Sequence, residues 1–228
     1  MNYEDGNRMY EIGKKYKTDK ITHHKYHEIY DFYLKNLYNK EGSVLEIGVQ
    51  HGTSIQIWLE LFPKSFVYGI DINKKYEGDR HKVFQCDQSK IEQLTNVKNN
   101  IEKESFLFIC DDGSHVPEHQ ILTFNTFFPL LCEGGIYIIE DIETSYWKSS
   151  SIYDYDINYG HKHPKSIIEI FKNIIDESIN VEFLGMENRS NKTVQHLDSI
   201  GSITFSQNCI IITKKTMVRK PYRFAYKT

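Results

Sequence analysis

FLFICDDGSHVPEHQILTFNTFFPLLCEGGIYIIEDIETSYW, from Phe106 to Trp147, is the stretch on which the fold turns. Two short apolar runs, Phe106–Cys110 and Ile136–Ile139, have the length and the aromatic or β-branched content of buried strands. Each ends abruptly in acid, at Asp111-Asp112 and at Glu140-Asp141. Val116 to Cys132 reads as a helix with Gly134-Gly135 as its stop. The unit is therefore strand, helix, strand, and such a crossover joins parallel strands. In open parallel sheets ligands bind beyond the carboxyl ends of the strands. Those ends gather four carboxylates, His115 and the aromatic pair Tyr146-Trp147, which is the composition of an active site.

The same alternation repeats upstream. Ser43–Gly48 reads as a strand that stops at glycine, followed by Val49-Gln50-His51-Gly52 and by Thr53, a cap for a helix through Ile57, Trp58 and Leu61 that Pro63 breaks. Phe66–Asp71 is a second strand ending in acid, Lys82–Cys86 a third ending at Asp87, and a polar helix from about Lys90 to Ile101 leads to Phe106. The segment Asn73–Arg80 is too short for more than a turn of helix. Ahead of these strands, residues 1–22 are polar with a turn-like KTDK at Lys17–Lys20, and Tyr26, Ile29, Tyr30, Tyr33, Leu34 and Leu37 stand at helical spacing. His23, His24 and His27 on that helix read as solvated rather than as metal ligands.

Downstream of Trp147 comes a polar, tyrosine-rich loop, SSSIYDYDINYGHKHP, long enough to be a lid or substrate loop. Lys165–Asp176 returns to helical period, and Ser202–Ser206 with Cys209–Thr213 reads as a closing β-hairpin around Gln207-Asn208. The expected fold is α/β, a Rossmann-like doubly wound sheet, mostly parallel with a closing antiparallel hairpin. Residues 1–228 are expected to form one domain, with an N-terminal helical segment over about residues 1–40.

With 28 basic and 31 acidic residues the formal net charge is −3, which offers no basic field for a nucleic acid to follow. Cys86, Cys110, Cys132 and Cys209 lie far apart without CxxC spacing and read as reduced and structural, hence cytoplasmic. The N-terminus has no apolar signal region, and no apolar run approaches the roughly 18 residues of a membrane span. The basic tail, KKTMVRKPYRFAYKT, reads as a solvated terminus.

A strand ending in glycine and feeding a helix, with Asp71 closing the next strand, describes a nucleoside-type cofactor site in which the acid holds two ribose hydroxyls. The glycines read G-VQH-G rather than GxGxxG, and Glu46 stands two residues before Gly48. A carboxylate there suits a cation better than a diphosphate, so S-adenosylmethionine is favoured over NAD.

VLEIGVQHGTS with Asp71, VFQCDQS, DDGSH, EGGIYIIEDIETSYW and the upstream KTDKITHHKYHEIY together resemble the metal-dependent sugar O-methyltransferases, of which the macrolide sugar enzymes are typical. The resemblance runs from about Tyr10 to Lys214. It implies the class I methyltransferase fold, whose sheet ends in an antiparallel strand, as the expected closing hairpin does. It implies that Asp112, Glu140 and Asp141 bind a divalent metal, Mg²⁺ or another, and that His115 is the general base. It further implies that Glu46, Gly48, Asp71, Asp87, Gln88 and Asp111 line the S-adenosylmethionine site, with Thr18 and Asp19 near it. The macrolide enzymes have an additional N-terminal domain that builds their oligomer, for which this chain has no room; a homo-oligomer is open.

The chemistry of the residues agrees. An alcohol must lose its proton to accept a methyl group, yet its pKa lies near that of water, about 15.7. Three hard carboxylates at two adjacent strand ends suit Mg²⁺, which could orient two neighbouring sugar hydroxyls while His115 takes the proton. Tyr146 and Trp147 would offer a platform for a sugar face. The expected activity is therefore methylation of a sugar hydroxyl, on a nucleotide-linked sugar of surface polysaccharide synthesis. Acceptors of natural-product, RNA or protein type, and a non-catalytic S-adenosylmethionine-binding module, are the alternatives. Two carboxylates with His115 holding Fe(II) is a further one.

Overall fold

The computed structural model describes residues 7–101 and 105–216; most of the basic tail lies outside the described residues. Three helices come first: α1 (Arg8–Tyr16), α2 (Asp19–Thr22) and α3 (His27–Leu34). The alternating part runs β1 (Gly42–Ile47), α4 (Thr53–Leu61), β2 (Ser65–Asp71), β3 (Tyr76–Gly78), β4 (His81–Gln85), α5 (Ile91–Ile101), β5 (Phe106–Asp111), α6 (Pro117–Phe127) and β6 (Leu131–Glu140). A small hairpin, β7 (Ser150–Ile152) and β8 (Tyr155–Ile157), precedes helix α7 (Ile167–Asn173). The closing hairpin is β9 (Ile200–Ser206) and β10 (Cys209–Lys214).

The main sheet has eight strands in the order β3-β4-β2-β1-β5-β6-β10-β9. β4, β2, β1, β5 and β6 run parallel, and β10 pairs antiparallel with β6. The order reverses between β1 and β5, the place where a parallel sheet opens a crevice at its carboxyl edge. Both faces are covered, so the strands are apolar throughout. Leu45, Ile109, Tyr137 and Ile210 face one layer with Phe124 and Phe171. Val44, Phe108, Ile138 and Ile211 face the other with Met9, Tyr30 and Trp58.

Several local expectations shift. The polar segment before residue 22 contains α1, whose buried Met9 and Ile12 form a stripe diluted by lysines and tyrosines on the exposed side. Gly13 lets α1 approach α2, since a Cβ there would lie 2.2 Å from Ile21 Cγ1. Helix α6 stops at Phe127 rather than at the glycine pair, because Pro129 has no N–H to continue it. β6 begins at Leu131, and Gly134-Gly135 fall inside it, where its register with β5 shifts between Phe106 and Phe108. At the start of α4 it is Gly52, at φ 79°, that occupies the cap position, and the Thr53 hydroxyl makes no capping bond. Between β2 and β4 the chain forms an edge strand, β3, antiparallel to β4, where a crossover helix would ordinarily lie. No helix among the described residues is long and apolar enough to cross a membrane.

Candidate active site

A cavity of about 650 Å³ opens at the carboxyl edge of the sheet. Its floor is the ends of β1, β2, β5 and β6, and its rim includes the KTDK loop and the β7–β8 hairpin. Gly48 turns out of β1 at φ 88°, and a Cβ there would lie 2.0 Å from the carbonyl oxygen of Asp112. The glycine is thus required by two chain segments crossing at the switch point, whatever binds above them.

Asp71 lines one end of the cavity. Its Oδ2 accepts from the backbone N–H of Gln50 at 2.8 Å and of Val49 at 3.2 Å, and its Oδ1 accepts from Asn73 N at 2.8 Å. One carboxylate therefore ties the loops after β1 and β2 together, with about one of its four acceptor positions left for a ligand. Asp87 and Gln88 also line the cavity. Gln88 is a strut: its Nε2 donates to Asp111 Oδ1 at 2.8 Å, and its Oε1 accepts from Ser114 N at 2.8 Å, which fixes the DDGSH turn.

Asp111 and Asp112 go to opposite faces, because successive side chains on a strand alternate. Asp111 turns towards α6, fully buried, where Gln88, Thr123 and Tyr137 donate to it. Burial pushes its carboxyl up to about 6. It was expected at the cofactor, and it does not line the cavity. Asp112 follows on the other face and lines the cavity beside His115 and Asp141. These three are the residues among those described whose ligand atoms all lie within 4.8 Å of one another.

His115 sits in the left-handed region at φ 57°, as does Asp141 at φ 52°. The His115 Nε2 is 3.8 Å from Asp141 Oδ2, and its Nδ1 is buried without a hydrogen-bond partner. Asp141 Oδ1 accepts from Tyr26 OH at 2.8 Å and from Asn208 Nδ2 at 3.0 Å, with His24 Nδ1 3.6 Å away. His24 is therefore close to the acid cluster and not a plain solvated residue. Glu140 lies just behind this cluster, 1% exposed, and does not line the cavity. Lys20 Nζ meets its Oε2 at 2.5 Å, and Tyr30 OH donates to its Oε1.

Glu46 likewise lies beneath the wall rather than in it, on the α4 face of β1. Ser54 Oγ donates to its Oε2 at 2.5 Å, while its Oε1 and the nearby indole Nε1 of Trp58 are both buried without a well-formed hydrogen bond. Burial raises its carboxyl to about 7, against the pull of Lys20. Thr18 and Asp19 line the cavity.

The aromatic pair expected to face a sugar does not line the cavity. Tyr146 is 55% exposed and stacks on His161, and neither it nor Trp147 lines the cavity. The turn of 3-10 helix at Ile142–Tyr146 carries both away from the strand end. Tyr153 and Tyr155 of the β7–β8 hairpin line it instead, with the Tyr153 ring 6.1 Å from His115 and the Tyr155 ring 4.7 Å from His119. His119 also bonds Ser114 Oγ at 2.8 Å, so it braces the turn rather than facing solvent on the helix. Lys20, Tyr26 and Tyr30 went unnoticed as site residues; for the two tyrosines, the only signal was a hydroxyl on an otherwise apolar helix face, and for Lys20, in the polar KTDK turn, there was none.

A mostly parallel doubly wound sheet, closed by an antiparallel hairpin and carrying an acid at the end of its second strand, is the architecture of class I S-adenosylmethionine-dependent methyltransferases. Within that class the relatives of this chain are sugar O-methyltransferases. The chain is 27% identical over 218 residues to the 8-demethyl-8-alpha-L-rhamnosyl tetracenomycin-C 2'-O-methyltransferase of Streptomyces olivaceus, covering 90% of this chain and 54% of the relative. It is 35% identical over 147 residues to the mycinamicin VI 2''-O-methyltransferase of Micromonospora griseorubida, covering 60% of this chain and 36% of the relative. The MycE methyltransferase of the mycinamycin biosynthetic pathway, solved in complex with Mg and SAH, superimposes with a TM-score of 0.78 at 26% identity, over 94% of this chain and 54% of that one. The chain thus spans about half the length of the curated relative and of the solved structure it matches over most of its own length. No family model matches.

Proposed function

We propose that this chain is an S-adenosylmethionine- and divalent-metal-dependent O-methyltransferase whose acceptor is a sugar hydroxyl. The observation that carries the proposal is one cavity with Asp71 at one end and Asp112, His115 and Asp141 at the other. The residues fit both groups. Asp71 keeps an acceptor position for a ribose hydroxyl, and Glu46 leaves a buried carboxyl oxygen, Oε1, unpartnered on the β1 face next to the cavity. Asp112 and Asp141 offer hard oxygen donors to a cation, with Glu140 behind them as the third carboxylate. S-adenosylmethionine bound there would supply an activated methyl group, and a divalent cation would lower the pKa of the acceptor hydroxyl.

The protein's own residues have separable tasks. Asp71, Gln88 and Thr18 shape the cofactor end. His115 accepts the hydroxyl proton, with its Nε2 3.8 Å from Asp141 Oδ2. Tyr153 and Tyr155 line the acceptor end from the β7–β8 hairpin.

The MycE structure includes a complex with Mg, SAH and mycinamycin VI, at 25% identity and a TM-score of 0.76, which supports the cofactor, the metal and a glycoside acceptor. The relatives' names, such as rhamnosyl tetracenomycin, support a glycoside, and none supports the narrower expectation of a nucleotide-linked capsular sugar. A single methyltransferase domain under a helical N-terminal cover, and a cytoplasmic setting, belong to the same proposal.

The test is incubation with S-adenosylmethionine, Mg²⁺ and a panel of glycosides bearing vicinal hydroxyls, followed by mass spectrometry of the sugar. Methylated sugar that disappears with EDTA is expected, and His115→Ala should lower kcat by about 10²–10⁴-fold with cofactor affinity unchanged. Absence of transfer to every glycoside, or full activity in EDTA, would reject the proposal.

A further inference from the structure

Lys20 is 2% exposed, and its ammonium is held by two acids from neighbouring strands: Asp112 Oδ2 at 2.6 Å and Glu140 Oε2 at 2.5 Å. Burying an ammonium is costly unless it is paired. Here the carboxylates of Asp112 and Glu140 supply that pairing on two sides. The acids in turn need it. Asp112 and Glu140 follow the paired residues Asp111 and Ile139 on adjacent parallel strands, so they project from one face side by side. Two like charges so placed repel unless a cation lies between them.

We propose that Lys20 is a resident counter-ion of the acid cluster, which holds Asp112 and Glu140 assembled and sets the affinity of the site for a divalent cation by competing for the same oxygens. The inference rests on the metal reading above and goes beyond it. That reading names the carboxylates, whereas the affinity is assigned here to a lysine about 90–120 residues earlier in the chain, as its separations of 92 and 120 residues record. The same lysine belongs to the KTDK loop, whose Lys17, Thr18 and Asp19 rim the cavity, so one ammonium ties that rim to both acid-bearing strands. Removing a unit positive charge a few ångströms from a divalent cation favours the cation by more than 1.4 kcal/mol even at a surface-like dielectric, that is, by about tenfold or more in affinity. It also leaves Glu140 buried against Asp112 with only hydroxyl and thiol neighbours, Tyr30 and Cys110.

The experiment titrates the whole chain with Mn²⁺ alone, by calorimetry and by the electron paramagnetic resonance of the free ion, for wild type, Lys20→Met and Lys20→Gln. Melting is followed in EDTA and in excess Mg²⁺. The neutral variants are expected to bind Mn²⁺ about tenfold tighter or more, to melt below wild type in EDTA, and to recover most of that difference in Mg²⁺. A Lys20→Met chain that folds only when a divalent cation is present would support the same conclusion, and Lys20→Gln keeps N–H donors for the two acids if the methionine variant does not fold. Unchanged or weaker Mn²⁺ affinity in a cooperatively melting variant would overturn the assignment of Lys20 while leaving the metal site standing. A wild-type chain that binds no Mn²⁺ would overturn the metal reading itself.

Discussion

The hydroxyl of Thr144 donates a 2.7 Å hydrogen bond to the main-chain oxygen of His115. Thr144 is fully buried in the turn that follows Asp141, so the segment carrying the acid also clamps the backbone of the proposed base. The clamp has work to oppose, because His115 holds φ 57°, a conformation most L-residues avoid.

Thr144→Val keeps the shape and removes the donor, which should cost about 1–2 kcal/mol at the turn. With the ring displaced, kcat should fall by roughly tenfold while the affinity for S-adenosylmethionine holds, and Thr144→Ser should recover most of the loss. Steady-state kinetics beside cofactor calorimetry check this; equal kcat in the valine variant would mean that His115 needs no such clamp.

Asp71→Ala should weaken cofactor binding by roughly 1.5–3 kcal/mol, the worth of hydrogen bonds to a charged group. Three backbone N–H groups also lose their acceptor, so the loops after β1 and β2 should loosen together. Faster amide exchange at Val49, Gln50 and Asn73, read by mass spectrometry, would accompany the weaker binding. Intact affinity by calorimetry would place the ribose elsewhere.

Glu46 gives the stability of the ligand-free protein a definite slope with pH. Burial lifts its carboxyl from 4.5 to about 7, so the folded state prefers the protonated form. That stability is fully present below pH 4.5 and is lost as pH rises through about 7. Between pH 5 and 8 wild type should lose about 2–3 kcal/mol relative to Glu46→Gln, measured by urea unfolding without metal or cofactor. Parallel curves for the two proteins would show that Glu46 ionises freely in the fold.

Tyr153 stands at the tip of the β7–β8 hairpin, 62% exposed, at φ 47° and followed by Asp154 at φ 67°. Two successive non-glycine residues with positive φ make a type I′ hairpin turn that aims the ring at the acid cluster. Stacking on a sugar face contributes about 0.5–1.5 kcal/mol, so Tyr153→Ala should raise the KM for the glycoside about two- to tenfold with kcat and cofactor affinity nearly unchanged. Tyr153→Phe should behave as wild type. An unaltered KM in the alanine variant would move the acceptor away from the hairpin.

The alternation of short apolar runs and helices, the acids that end those runs and the closing hairpin were all legible in the sequence, because each depends on neighbours a few residues away. So, in principle, was the division between Asp111 and Asp112, since a period of two sends adjacent side chains to opposite faces. Stopping the helix at Gly134-Gly135 failed for an equally local reason, Pro129, read as part of the helix. By itself, then, the sequence determined the order of strands and helices and the chemistry offered at their ends. Only the tertiary structure decided which of those groups meet. It turned Tyr146 and Trp147 out and brought Tyr153 in, and it placed Lys20, Tyr26 and Tyr30 against acids more than 90 residues away. The reason is that a buried charge must be paired within a few ångströms, and nothing in local propensity says which distant segment will pack there to supply the partner.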